Sequence, residues 1–390
     1  MYEQSSTRPI DGERAGPMRT FNRLAVALVF FFLLSLPILW FGRASFAPAP
    51  LHENRVLSQF PDLSIRAFQQ FERWFSDRFG MRDALVYYGS RLQMARTGAP
   101  TNQDVVVGPT KWLFYDQYYV PGQPHFADTI GKDPLSPSAL KTIGANVQAV
   151  HEALKVCKIP FYFVIAPDKQ SVYPEKLGIH IPTAAQSNAD QLIEYLRTTD
   201  SGLNIIDLRN PLVTARAGAP FDLYKRTDTH WNSLGAFYGY QAIVRRLTAD
   251  RILPASPRSD LADWDVTQAP FDNGDIAVNL LSLPGYFEDY NTHFEAKTAR
   301  HAQWSGDERR RQSQNPEGLG NLVMYRDSFA GELLPFLAED FESTVSFLSH
   351  EVDGDTVRNT KPSVVMLQIV GRNIRMLKEG PKNLGHICTP

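Results

Sequence analysis

The sequence predicts an α/β fold, a mostly parallel sheet with helices on both faces, preceded by one N-terminal transmembrane helix. Three observations predict it. Short apolar runs at Phe161 to Ala166, Leu322 to Tyr325 and Val364 to Ile369 lack polar alternation, so they read as strands buried on both faces. Between such runs lie stretches with apolar residues at helical spacing, and strands alternating with helices build a parallel sheet covered on both sides. Near the N-terminus, Leu24 to Phe41 is apolar and uncharged.

That run is first in order. At about 1.5 Å per residue it nearly crosses a hydrocarbon core of roughly 30 Å. Pro37 would kink it, which a membrane helix tolerates, and Trp40 falls where an interfacial aromatic belongs. A cleavable signal usually has a shorter apolar core, about 7–15 residues. The one Ala-x-Ala candidate, Ala47-Pro48-Ala49, is followed by Pro50, which disfavours cleavage. Arg14, Arg19 and Arg23 precede the run and only Arg43 follows closely. The positive-inside rule then makes residues 1–23 a cytoplasmic tail, 24–41 the anchor, and the remainder periplasmic in a bacterium. The tail is polar and rich in Ser, Arg, Pro and Gly, and is expected to be disordered.

Residues 42–100 read as a linker and a helical stem. Ala44 to Pro61 contains several prolines. Phe68, Phe71, Trp74, Phe75 and Phe79 then mark an amphipathic helix over Leu63 to Phe79, ended by Gly80. A second helix is expected from Arg82 to about Ala95, the pair packing on the main domain at 101–390.

In that domain Val105 to Val107 and Trp112 to Tyr115 form a strand, turn and strand around Gly108. Leu140, Ile143, Val147, Val150 and Leu154 define a helix over Ser138 to Cys157. After the strand Phe161 to Ala166 come a helix, Ala185 to Arg197, and a strand, Asn204 to Leu208. Leu234 to Leu247 is helical, with Asn232 or Ser233 as its cap. Residues 264–321 break the rhythm. They are polar and poor in periodicity, so they read as a partly irregular insertion, ending near Glu308-Arg309-Arg310-Arg311. Phe329 to Phe341 is expected to be a helix between the last two strands.

Composition narrows the function. A formal charge of −2 gives no electrostatic case for nucleic acid. Cys157 and Cys388 are too few for a disulfide framework. One bridge between them is possible in an oxidising compartment, but the apolar helical setting of Cys157 favours a free buried thiol. No His, Cys and Asp cluster has metal-ligand spacing, and no cofactor is expected.

Two stretches carry chemistry, Asp228-Thr229-His230-Trp231 and Arg326-Asp327-Ser328-Phe329. A serine becomes a nucleophile when a base removes its proton and a third group orients that base. Ser328 follows a buried strand and precedes a helix, where backbone N–H groups favour an oxyanion. Asp228 and His230, two apart, share one side of an extended backbone. The competing account of that pair is capping and packing.

The ordered motifs Glu53-Asn54-Arg55, Phe71-Glu72-x-Trp74-Phe75-x-Asp77-Arg78-Phe79-Gly80, Trp112-Leu113-Phe114-Tyr115, Pro167-Asp168-Lys169, Val172-Tyr173-Pro174-Glu175, Asp228-Thr229-His230-Trp231, Gly274-Asp275, Asp327-Ser328-Phe329 and Arg372-Asn373 resemble the AlgJ/AlgX group of bacterial polysaccharide O-acetyltransferases, relatives of the SGNH hydrolases. The resemblance implies an SGNH hydrolase-like fold and a triad of Ser328, His230 and Asp228. It implies an O-acetyltransferase that acetylates an exopolysaccharide such as alginate, in the form with one anchor and no added carbohydrate-binding domain. It further implies a membrane-bound MBOAT-type acyltransferase as acetyl donor and other polysaccharide-secretion subunits as partners. An acetyl esterase and a non-catalytic polysaccharide-binding scaffold are the alternatives. Lys169, Tyr173, Trp231, Arg326 and Arg372 are the candidates for substrate contact, and Arg309 to Arg311 could attract a uronate polymer. Arg326 stands where the family pattern has Gly, and Gln368 where it has Glu.

Overall fold

The structure is a computed structural model that describes residues 17–39, 58–62, 66–78, 81–182, 185–256 and 258–388. The linker before Ser58, Trp40, the Glu53-Asn54-Arg55 motif, Phe79 and Gly80 lie outside the described residues. The chain divides into two units, Met1–Gly89 and Ser90–Pro390.

In the first unit Pro17–Leu39 is one helix. Its side chains are described for residues 24–36 and 39, and most of the large apolar ones are exposed. Among the described residues no helix is long and apolar enough to cross a membrane. Ala67–Arg78 is a helix in which Phe71 stacks on Phe75 and Trp74 meets Phe60 edge-on. A further helix, Arg82–Thr97, continues across the division between the units.

The second unit is built on a seven-stranded sheet. Its strands are β3 (Phe161–Ala166), β4 (Asn204–Asp207), β7 (Gln303–Gly306), β8 (Arg310–Gln314), β9 (Asn321–Arg326), β10 (Ser343–Leu348) and β11 (Val364–Val370), in the order β4-β3-β11-β9-β10-β8-β7. The five strands from β4 to β10 run parallel, and β8 and β7 extend them antiparallel. Two small antiparallel pairs stand apart, β1 (Val105–Val107) with β2 (Leu113–Tyr115), and β5 (Trp264–Pro270) with β6 (Tyr290–Ala296).

Side-chain alternation in the central strands feeds two cores. Tyr162, Val164, Leu322, Met324, Val364 and Met366 point to a face covered by the helices Ser233–Ala249 and Ala330–Leu337. Phe161, Phe163, Val323, Tyr325, Val365 and Leu367 point to the other, under Pro137–Val156 and Asn188–Thr199. The runs Phe161–Ala166, 322–325 and 364–367 are therefore apolar at every position, as they predicted. The helix starts follow local chemistry. Ser136 accepts from Ala139 N with Pro137 as the first helical residue, Ser187 and Asp190 form a capping box, and Asn232 accepts from Gly235 N.

Two expectations are corrected below. Within residues 264–321, β5 and β6 pair with each other and β7 and β8 join the central sheet, with irregular loops between them. Every residue of β7 is exposed, so the edge needs no apolar pattern and offers none. The strand β10 was not expected at all, because Thr344 and Ser346, not aliphatic residues, fill its buried positions. Cys157 and Cys388 are bridged, with Cα atoms 5.5 Å apart. The helix ending at Val156 and the turn after His386 bring together thiols that no local pattern connects.

Candidate active site

The site forms at the carboxyl ends of the parallel strands, where a sheet of this kind leaves its crevice. The strand β9 ends at Arg326, and the helix Ala330–Leu337 begins after the cap position Phe329. Ser328 occupies the turn between them, exposed while Asp327 and Phe329 on either side are buried. Asp327 pins this turn. Its Oδ1 accepts from Phe329 N at 2.9 Å and its Oδ2 from Val370 N, at the end of β11, at 2.6 Å.

The second half comes from the loop before Ser233–Ala249. His230 Nε2 lies 2.7 Å from Ser328 Oγ, and His230 Nδ1 lies 2.7 Å from Asp228 Oδ1. Asp228 Oδ1 also accepts from His230 N at 2.8 Å, so one carboxylate orients both backbone and ring. The Phe329 ring packs on the imidazole at 4.9 Å. A hydroxyl, imidazole and carboxylate in this chain can deprotonate the serine and hold the resulting imidazolium.

Electrostatics match that geometry. Burial opposes charge on His230, yet hydrogen bonds and charge from Asp228 and Asp275 raise it to about 9. Burial alone would raise the Asp228 carboxyl, but hydrogen bonds from His230 and the charges of Lys225 and His230 hold it well below the usual carboxylate range. Ligand atoms of Asp228, His230 and Asp275 fall within 4.8 Å of one another, the spacing of a metal cluster. In this arrangement His230 Nδ1 is turned to carboxylate oxygens and Nε2 to Ser328, so both nitrogens already have protein partners.

Pro167-Asp168-Lys169, at the end of β3, joins the loops. The Pro167 carbonyl accepts from Tyr224 Oη at 2.6 Å. Asp168 accepts from Arg372 N at 2.8 Å and Arg372 Nη1 at 2.7 Å. Lys169 Nζ donates to the carbonyls of Lys225, Arg226 and Asp228 at 3.1, 3.1 and 2.6 Å. Burial lowers the Lys169 ammonium to about 8. Trp231 Nε1 donates to the Phe329 carbonyl at 2.9 Å, which ties the histidine loop to the serine turn.

Four of the five residues expected to contact substrate are buried, with their polar groups engaged by the protein. Lys169 is buried, with its three donors engaged by backbone. Tyr173 is buried against Trp112, and its hydroxyl accepts from Leu223 N at 2.9 Å. Trp231 is wholly buried. Arg326 is also wholly buried, and its guanidinium holds the Glu308 carbonyl at 2.8 Å and the Glu308 carboxylate at 3.3 Å. Arg326, though buried, still lines the cleft beside Ser328. Arg372 is held by Asp168 and lies over the Phe329 ring at 5.1 Å. In the arginine run, Arg311 pairs with Glu308 and Arg310 lies over Phe347.

A cleft of about 390 Å³ opens beside Ser328, lined by Asp327, His350, Asn373, Met376 and Glu379 among others. A larger cleft of about 730 Å³ runs along β4 and holds none of the residues of the Ser328 site. Asn373 follows β11, and its Oδ1 accepts from Gln117 Nε2 at 2.9 Å. Sequence reasoning noted Asn373 and Asp275 only within motifs and assigned them no role.

The SGNH hydrolase-like domain of the AlgX acetyltransferase type matches residues 105–314. The chain belongs to this family. The AlgX-type match includes Asp228, His230 and Asp275, and Ser328 lies beyond it. The probable alginate O-acetylase AlgJ of Azotobacter vinelandii is 26% identical over 302 residues, covering 72% of this chain and 70% of that protein. The protein of the same name from Pseudomonas fluorescens is 24% identical over 289 residues, covering 70% and 69%. Among solved structures, Bacillus cereus PatB1 with a sulfonyl adduct superposes with a TM-score of 0.50 at 18% identity, over 71% of this chain and 97% of that one. That likeness supports the SGNH-like fold.

Proposed function

We propose that this AlgX-family chain is an O-acetyltransferase that moves an acetyl group through Ser328 to hydroxyls of an exopolysaccharide such as alginate. The observation that carries the proposal is the continuous chain Ser328 Oγ, His230 Nε2, His230 Nδ1, Asp228 Oδ1, with 2.7 Å at each hydrogen bond. The family and the relatives named as alginate O-acetylases support the reaction class and the substrate.

In this mechanism His230 takes the proton of Ser328 as Oγ attacks the acetyl carbonyl of the donor. The oxyanion is held by the Ser328 backbone N–H and by the Asn373 amide, whose Oδ1 is turned to Gln117. His230 returns the proton to the departing group, leaving acetyl-Ser328. A sugar hydroxyl, deprotonated by His230, then attacks the ester and releases Ser328. Asp228 keeps Nδ1 protonated throughout. Water in place of the sugar would make the protein an acetyl esterase.

The proposed setting is the bacterial inner membrane, with 24–41 as the anchor, 42–100 as linker and stem, and the catalytic unit in the periplasm. The exposed apolar side chains of Pro17–Leu39 and the Cys157–Cys388 bridge, which suits an oxidising compartment, support it. Acetyl-CoA is a cytoplasmic donor, so the acetyl group is proposed to come from a membrane-bound acyltransferase of the MBOAT type. Other polysaccharide-secretion subunits are further proposed partners.

The test uses the fragment from about Ala44 onward with a chromogenic acetyl ester, and mass spectrometry of Ser328. Wild type should release acetate and carry acetyl-Ser328, while Ser328→Ala and His230→Ala do neither. Added uronate or neutral oligosaccharide should gain acetyl groups. Acetate release indifferent to oligosaccharide would identify an esterase. A folded wild type with no acetyl-enzyme would leave a non-catalytic scaffold.

A further inference from the structure

A second carboxylate faces the imidazole. Asp275 Oδ2 lies 3.4 Å from His230 Nδ1, on the nitrogen that Asp228 already holds. Asp275 also grips the peptide between Asp228 and His230. Its Oδ1 accepts from Thr229 N and its Oδ2 from Thr229 Oγ1, both at 2.6 Å. Asp275 N in turn donates to Asp228 Oδ2 at 3.2 Å. The two acids and the imidazole thus form a closed set, although Asp275 lies 47 residues beyond Asp228.

The local backbone exists to make this approach. A Cβ at Gly274 would overlap the Thr227 hydroxyl and carbonyl, so only glycine lets the two loops come this close. Ile276 N and Ala277 N both donate to the Thr227 carbonyl, at 3.1 and 3.2 Å. The five residues Ile276–Leu280 form a π-helix, a widened turn found frequently at functional sites.

We infer that Asp275 is a positioning residue of the base: it sets a second negative charge 3.4 Å from His230 Nδ1, where Asp228 Oδ1 is bonded and Thr229 Oγ1 lies at 3.2 Å, stabilises the imidazolium, and clamps the Thr229 peptide so that Nε2 stays aimed at Ser328. This rests on the triad proposed above and adds to it a fourth member. Two anions on one ring nitrogen make the base harder to discharge. The two carboxylates hold the His230 proton to higher pH than a free imidazole would, so turnover of an activated ester should rise with pH as that proton leaves. The charged and titratable groups around the ring are Asp228 and Asp275 at Nδ1, with Lys169, Lys225 and Arg372 behind the two acids and Tyr115 beside Asp275. Ser328 Oγ faces Nε2, and the Phe329 ring covers one face. Asp228 has the shorter bond, so it is the principal partner and Asp275 the auxiliary one.

The arrangement makes the two acids partly interchangeable. Asp228→Asn leaves Nδ1 with Asp275 and should retain measurable turnover. The double variant Asp228→Asn/Asp275→Asn has no anion at Nδ1 and should fall at least a further tenfold. Asp275→Asn keeps the shape and one of the two acceptors for Thr229 while removing the charge. Its alkaline limb should move toward lower pH by about one unit, with KM for the ester within about twofold of wild type.

The decisive experiment measures the pH profile of ester turnover and, separately, the His230 titration by NMR in the detergent-solubilised full chain, for wild type, Asp275→Asn and Asp275→Glu. The expected result is an acidward shift of both limb and NMR titration in Asp275→Asn, with return toward wild type in Asp275→Glu. Superposable His230 titrations in wild type and Asp275→Asn would overturn the inference, whatever the activity. An inactive wild type whose His230 titration still shifts in Asp275→Asn would overturn the acetyltransferase proposal and leave the Asp275 pairing standing.

Discussion

Lys169 keeps an ammonium in a nearly completely buried place, and three backbone carbonyls accept its hydrogen bonds while the charges of Asp228, Asp289 and Asp275 offset part of its burial. Those carbonyls belong to the loop that carries Asp228, so the ammonium sets where the acid stands. Lys169→Met removes the three bonds without a large change in volume. Turnover of a small acetyl ester should then fall about 10- to 100-fold from misplacement of the base, with KM within about twofold. An equal fall through KM alone would show that Lys169 touches substrate. Trp231 acts by the same logic across the site. Trp231→Phe removes the indole donor to the Phe329 carbonyl, which costs about 0.5–1.5 kcal/mol and should lower the midpoint of thermal unfolding. In the sequence both residues looked like ligand contacts, because a Lys or Trp beside a motif carries the same letter whether it faces a sugar or a carbonyl.

At the scale of the element, the turns after strands decide the chemistry. The turn after β9 presents Ser328, and the turn after β3 binds the histidine loop and Arg372. The Gly274 turn delivers Asp275. Gly274→Ala forces a methyl group into the Thr227 backbone, and the overpacking should destabilise the fold by about 1–3 kcal/mol. Because the clash opens the contact between the loops, ester turnover should fall in variant protein that is still folded, as checked by circular dichroism and kinetics at one temperature. Unchanged turnover would mean that this approach does not matter to the base. The apolar strands β3, β9 and β11 were readable from composition, since both of their faces are core. The strand β10 was not, because Thr344 and Ser346 hide its buried face. Nor were β7 and β8, whose residues are polar and mostly exposed because they extend the sheet beyond its helical cover.

Across the whole molecule, the Cys157–Cys388 bridge fastens the last turn to the end of the helix Pro137–Val156, across 231 residues of sequence. Closing so long a loop restricts the unfolded chain, and such bridges contribute about 2–4 kcal/mol. Cys157→Ser should lower stability by that amount in urea titrations of the oxidised protein, and reductant should shift wild type alone. Coincident wild-type curves with and without reductant would deny the bridge a stabilising role. Local pattern by itself determined the buried strands, the main helices, the cap at Asn232, and the Asp228-x-His230 spacing, because each depends on residues within one or two turns of one another. The tertiary structure alone decided that Ser328 meets His230 across 98 residues, that the two cysteines pair, that Asp275 joins the base, and that Lys169 and Arg326 turn inward. Those outcomes depend on distances through space and on burial, which are set only when the sheet has stacked its strands and brought the loops at their carboxyl ends together.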